Sequence, residues 1–160
     1  MDILFAPHYY NELNDIPIKH KWLKTGNPIT TVQILSIECI LGDKLTAFAP
    51  NTTGILYEKN KPVEIIKQLY DIGHLFDIAE NLPMVRKTFE NVAKSEMAYR
   101  GLKIKSEDVL NDVFNTSMIL SERDAEDEQF QHLQTGISNL YNFIFIEKFR
   151  IEPAIICASK

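Results

Sequence analysis

The sequence predicts an α+β chain that is mostly α, with short strands over residues 1–36 and a helical bundle over residues 37–160. Three observations predict it. Strand-like runs rich in β-branched residues are confined to the first 36 positions. From Ser36 onward, apolar residues recur at helical spacing. Pro50, Pro62, Pro83 and Gly101 then punctuate the helical part at places where helices stop or start.

In chain order, residues 2–6 (DILFA) read as a short strand and residues 15–19 (DIPIK) as another, with Pro17 arguing for an edge position. TTVQILS at 30–36 reads as a third strand. Pieces this short need partner strands or covering helices. Ser36 is a candidate N-cap for a helix over 37–49, limited by Pro50. NTTGILYEKNK is a loop, and Pro62 suits the first position of a second helix reaching about Glu80. A third helix restarts at Pro83 and runs through Tyr99, with Gly101 just past its end. Ser106 is expected to cap a fourth helix to about Ser121. The acids of ERDAEDE favour the positive end of a fifth, which carries Phe130, Leu133, Ile137, Leu140, Tyr141 and Ile144.

With 160 residues, 45% of them hydrophobic, the chain can bury a full core. Its net charge of −5 is spread evenly: 7 basic against 10 acidic residues over 1–80, and 10 against 12 over 81–160. No basic half advertises a nucleic-acid binder. Cys39 and Cys157 make neither a disulfide framework nor a metal spacing, which suits a reducing, cytoplasmic setting. No apolar run approaches the ~18 residues of a membrane span, and MDILFAPHYY lacks the features of a signal peptide. The abrupt strand at the start and the uncapped apolar IEPAIICASK at the end suggest a piece of a longer protein.

Two helices carry the chemistry. On a wheel of 37–49, Ile37, Ile40, Leu41, Leu45 and Phe48 form one stripe, and Lys44 falls within it. An ammonium there must snorkel, pair with a carboxylate or face an anion, since a buried unpaired charge is costly. On 62–80, Ile65, Ile66, Leu69, Ile72 and Phe76 share a face, while Glu64, Lys67, Asp71 and His74 share the other. Lys67 and Asp71 could form an i,i+4 pair worth a few tenths of a kcal/mol on a solvated face. Leu75 and Ile78 beside them point instead to a helix covered on more than one side.

The strings ECILGDKLTAFAP, NTTGI and EIIKQLYDIGHLF resemble the C-terminal half of the AbiEii/AbiGii family of nucleotidyltransferases, bacterial proteins known as toxins of toxin–antitoxin pairs. The resemblance is specific over roughly residues 34–78. It implies that Lys44 is the family's motif lysine and Asp71 its motif aspartate, both catalytic. It also assigns Lys67, Thr52 and Thr53 to substrate binding, with the two threonines and Gly54 matching the loop of one branch of the family. The implied activity is transfer of a nucleotidyl group from a nucleoside triphosphate, in some members onto RNA such as tRNA, with Mg2+ as cofactor, an antitoxin as a further partner and no membrane association.

The sequence departs from that pattern in one respect. None of its six glycines opens the Gly-Ser or Gly-Gly turn with a following D-x-D that supplies the family's paired metal carboxylates. Asp2 in DILFA is the candidate for a third metal carboxylate. The chain is therefore expected to hold half of the active site and to be inactive alone; the alternative is a non-catalytic binding or regulatory module built on the same fold.

One further segment stands out. Lys19, His20, Lys21 and Lys24 surround Trp22 in IKHKWLKTG. It is either a solvated loop with Trp22 packed inward or a surface contacting nucleic-acid backbone and bases. The histidines show no metal spacing.

Overall fold

The computed structural model describes residues 10, 12–144 and 148–160. The expected first strand, with Asp2, lies outside these. The other two strands form as a hairpin, β1 (Leu13–Pro17) antiparallel to β2 (Thr31–Leu35), with Leu13 opposite Leu35 and Pro17 opposite Thr31. Among the described residues β1 pairs with β2 alone, which suits Pro17 because it has no N–H to give to a second neighbour. The register gathers Ile16, Val32 and Ile34 on one face, and all three remain exposed.

The helices are α1 (Ile37–Ala47), α2 (Pro62–Phe76), α3 (Leu82–Arg100), α4 (Ser106–Glu122), α5 (Glu128–Leu140) and α6 (Ile151–Ala158). Their starts follow local chemistry. The Ser36 hydroxyl accepts from the Cys39 amide at 3.3 Å, satisfying an otherwise orphaned donor. Pro62 is the first residue of α2. Asn81, rather than Pro83, opens α3, its side chain accepting from Met84 N at 3.1 Å. Gly101 ends α3 at φ 66°, a conformation glycine adopts without strain. Ser106 is not the cap of α4 but its first residue. Lys105 holds the cap position, and Asp108 Oδ2 accepts from its amide at 2.8 Å. Asp127 caps α5, which ends at Leu140, short of Ile144.

The apolar stretch at the end of the sequence forms helix α6. It contains Pro153 in its first turn, where a missing N–H is tolerated, and it buries Ala154 and Cys157 against α2 and α4.

The core explains why α1 is hard to read on a wheel. This helix packs between α2 and α3, so Cys39, Leu41, Gly42 and Thr46 are all buried, on more than one side. Ile37, Ile40 and Leu45, expected to form the buried stripe, are only partly covered. The helix α2 in turn touches α1, α5 and α6 and buries Ile65, Ile66, Leu69 and Ile72. Gly136 lets α5 lie directly on the start of α2: a Cβ there would stand 2.4 Å from Pro62 O.

The connection between α1 and α2 is fastened from a distance. Asp112 on α4, only 5% exposed, accepts from Asn51 N (2.8 Å), Asn51 Nδ2 (2.7 Å) and Thr52 Oγ1 (2.8 Å). Asp112→Ala takes the acceptor from two donors on the exposed Asn51 and one on the half-buried Thr52, so unfolding stability is expected to fall by about 1–3 kcal/mol. A urea titration with an unchanged slope and a lower midpoint checks this.

Candidate active site around Lys44 and Asp71

Lys44 leaves α1 on the side facing α2, and Asp71 leaves α2 on the side facing α1. Lys44 Nζ lies 2.8 Å from Asp71 Oδ2 and donates to Gln68 Oε1 at 3.1 Å. Gln68 sits one turn before Asp71, so both acceptors approach the ammonium from a single helix face. The ion pair at Asp71 thus runs across to α1, not along the helix to Lys67. Of the three fates open to Lys44, the structure selects pairing with a carboxylate. The two side chains remain 28% and 39% exposed. A pair in that setting adds only about 0.2–1 kcal/mol of stability. Its geometry leaves both charged groups reachable from solvent.

Asp71 also lines a cleft of about 410 Å³ between α2 and the residues that follow α5. Glu64, Lys67 and Asp71 form its polar rim. Val63, Tyr70 and Leu140 form the walls with Phe143, which is 69% exposed. Tyr70 is held by edge-on ring contacts with His74 and Phe149, with centroids 4.4 and 5.1 Å away. An apolar cavity of this size with a few convergent polar groups is what a small-molecule site requires.

A second, smaller cavity of about 220 Å³ opens on the other side of Lys44, beside its neighbour Asp43. Burial pushes the Asp43 carboxyl above the usual carboxylate range, against the lowering effect of the hydrogen bond from Tyr10 and the charge of Lys44. Tyr10 Oη donates to Asp43 Oδ1 at 3.2 Å. Burial together with the Asp43 charge pushes the Tyr10 phenol up to about 12. Glu96 and Arg100 from α3 complete the lining, and Arg100 also donates to Gly54 O at 3.1 Å.

The threonines expected to bind substrate are spent inside the fold. Thr52 donates to Asp112, and Thr53, 2% exposed, donates to Thr46 O at 2.8 Å. Thr53 lines the Asp43 cavity and neither threonine lines the Asp71 cleft. Lys67 does line it, with an exposed side chain. Asp2 lies outside the described residues. Gln68, Asp43 and Asp112 went unnoticed in the sequence. Only Asp43 had a signal there, its place next to a lysine already singled out.

The described residues do not fit a magnesium ion. No group of three or more His, Cys, Asp or Glu among them could hold a metal. Asp71 is engaged by a lysine, and the carboxylates of the smaller cavity share it with a guanidinium.

The profile of the family described as "Nucleotidyl transferase AbiEii toxin, Type IV TA system" matches residues 1–143, so the chain belongs to that family. No curated protein and no solved structure matches it. Among the described residues, no helix is long and apolar enough to cross a membrane.

The raised Asp43 carboxyl gives a pH prediction. The folded state binds this proton more tightly than the unfolded chain, so stability falls as pH rises from the ordinary carboxylate value through the raised one. Asp43→Asn removes that loss. The variant is expected to melt at a higher temperature than the parent at pH 7, with the difference closing as the pH drops below the unfolded carboxylate value. Paired thermal melts across pH 3.5–7 check this.

Proposed function

We propose that this chain supplies the lysine–aspartate side of a nucleotidyltransferase active site, with the triphosphate lying along the cleft that Asp71 lines. The observation that carries the proposal is the meeting of Lys44 and Asp71, on separate helices, within 2.8 Å, where Asp71 also lines that cleft. In this reading Lys44 acts as a point charge on the triphosphate oxygens, where charge develops as the transfer proceeds. Asp71 and Gln68 hold the ammonium in place, so it need not reorganise when the phosphates arrive. Lys67 adds a second cation at the rim, and the apolar walls accept the base and ribose. An acceptor hydroxyl attacks the α-phosphorus, the bond to pyrophosphate breaks, and the hydroxyl proton leaves to solvent. The acceptor is an RNA, with tRNA the first candidate. Magnesium belongs to this reading through the family, held by the paired carboxylates that this sequence lacks, so no step is assigned to it here. An antitoxin is the expected regulatory counterpart.

One observation favours a second reading, a non-catalytic module on the same scaffold. Lys44 is already neutralised by Asp71 and hydrogen-bonded by Gln68, so it needs no phosphate to be stable.

The test is transfer of label from each nucleoside triphosphate to total tRNA in magnesium buffer. The chain alone is expected to transfer nothing. Supplied with a segment carrying the Gly-Ser turn and paired aspartates, it is expected to transfer label, and Lys44→Ala or Asp71→Ala should reduce the rate by about 100-fold or more. Transfer by the isolated chain that survives both substitutions overturns the mechanism.

A further inference from the structure

The hairpin presents an exposed indole among lysines. Between β1 and β2 the chain makes an excursion closed by the bond from Ile18 N to Thr30 O at 2.8 Å. Within it, Leu23 N donates to His20 O at 2.9 Å and Trp22 N donates to His20 Nδ1 at 3.2 Å. These two bonds close a turn over residues 20–23 and set Lys21 and Trp22 at its corner. Trp22 does not pack inward: it is 79% exposed, with Lys21 Nζ 5.2 Å from its ring centroid.

The charge around it is also unlike the rest of the molecule. No acidic residue occurs between Asp15 and Glu38, while Lys19, Lys21 and Lys24 all fall there, in a chain whose net charge is −5. An indole and three ammonium groups offered together on one tip match a strand whose bases are unstacked and whose phosphates are accessible. A duplex offers the phosphates but hides the base faces.

From this juxtaposition we infer that the hairpin tip is a docking site for single-stranded RNA, with one base stacked on Trp22 and the flanking phosphates held by Lys19, Lys21 and Lys24. This goes beyond the transfer reading, because it requires neither Lys44 nor Asp71 and concerns how a strand is held rather than how it reacts.

Trp22 is the chain's single tryptophan, so its fluorescence reports on the tip directly. The probes are a 12-nucleotide single-stranded RNA, the duplex of the same sequence, and vesicles of phosphatidylcholine with phosphatidylserine. Single-stranded RNA is expected to quench the emission and to bind better than the duplex. With an end-labelled RNA followed by anisotropy, Trp22→Ala is expected to weaken binding about tenfold. The triple variant Lys19→Gln, Lys21→Gln, Lys24→Gln is expected to flatten the slope of log affinity against log salt by about 2. Lys44→Ala is expected to leave this binding unchanged, which separates the docking site from the transfer reading. Emission unmoved by RNA, full affinity in Trp22→Ala, or a blue shift on vesicles in place of quenching by RNA each overturns the proposal.

Discussion

The fold depends on the enclosure of α1. A helix packed between two others must be narrow where it is crossed, and here the narrow residues are Cys39 and Gly42. A Cβ at Gly42 would stand 2.7 Å from Val85 O on α3. The same closeness lets the Thr88 hydroxyl reach Cys39 Sγ at 3.5 Å across the α1–α3 contact. Once α1 is fixed against α3, its opposite side has to accept α2, and that side carries Lys44. The ammonium at that seam keeps only part of its contact with solvent and takes partners on α2. Gln68 and Asp71 supply its partners, and Asp71 at the same time lines an open cleft. The packing constraint and the candidate chemistry thus arise at the same contact.

Much of the fold was legible because helix ends are written locally. Ser36, Pro62 and Gly101 each act within one turn of their own position, and each does what its residue type suggests. Errors fell where the deciding partner is remote or the signal is shared. Asn81 opens α3 although Pro83 is the louder mark, because its side chain accepts from the otherwise orphaned Met84 amide, which a proline cannot do. The helix α6 begins at an arginine that offers no side-chain cap and contains a proline. Its reason to form is tertiary, since Ala154 and Cys157 complete the cover of α2 and α4.

The candidate site divides in the same way. The oddness of Lys44 was visible from its neighbours alone, since a cation within an apolar stripe demands an explanation at any depth. Its partner across the helix interface was visible only through the family resemblance, because nothing in the spacing of residues 44 and 71 encodes a 2.8 Å approach. The Thr52–Thr53 pair was singled out only through the family resemblance. In the structure their hydroxyls donate to a carboxylate on α4 and to a carbonyl on α1. Asp112 had no signal in the sequence, where it reads as an ordinary acid on a solvated helix.

That inward-facing carboxylate has a consequence for the order in which the molecule assembles. The residues it fastens lie about sixty positions upstream, and a closure of that length carries a loop entropy that only docked helices can repay. The turn after α1 is held both by local bonds, such as those from Thr52 N and Gly54 N to Ala49 O, and by this remote carboxylate on α4. The Asn51 amide, bonded to Asp112 rather than to anything nearby, is therefore a remote sentinel. Its exchange with deuterated solvent follows the detachment of α4 and not the fraying of its own loop.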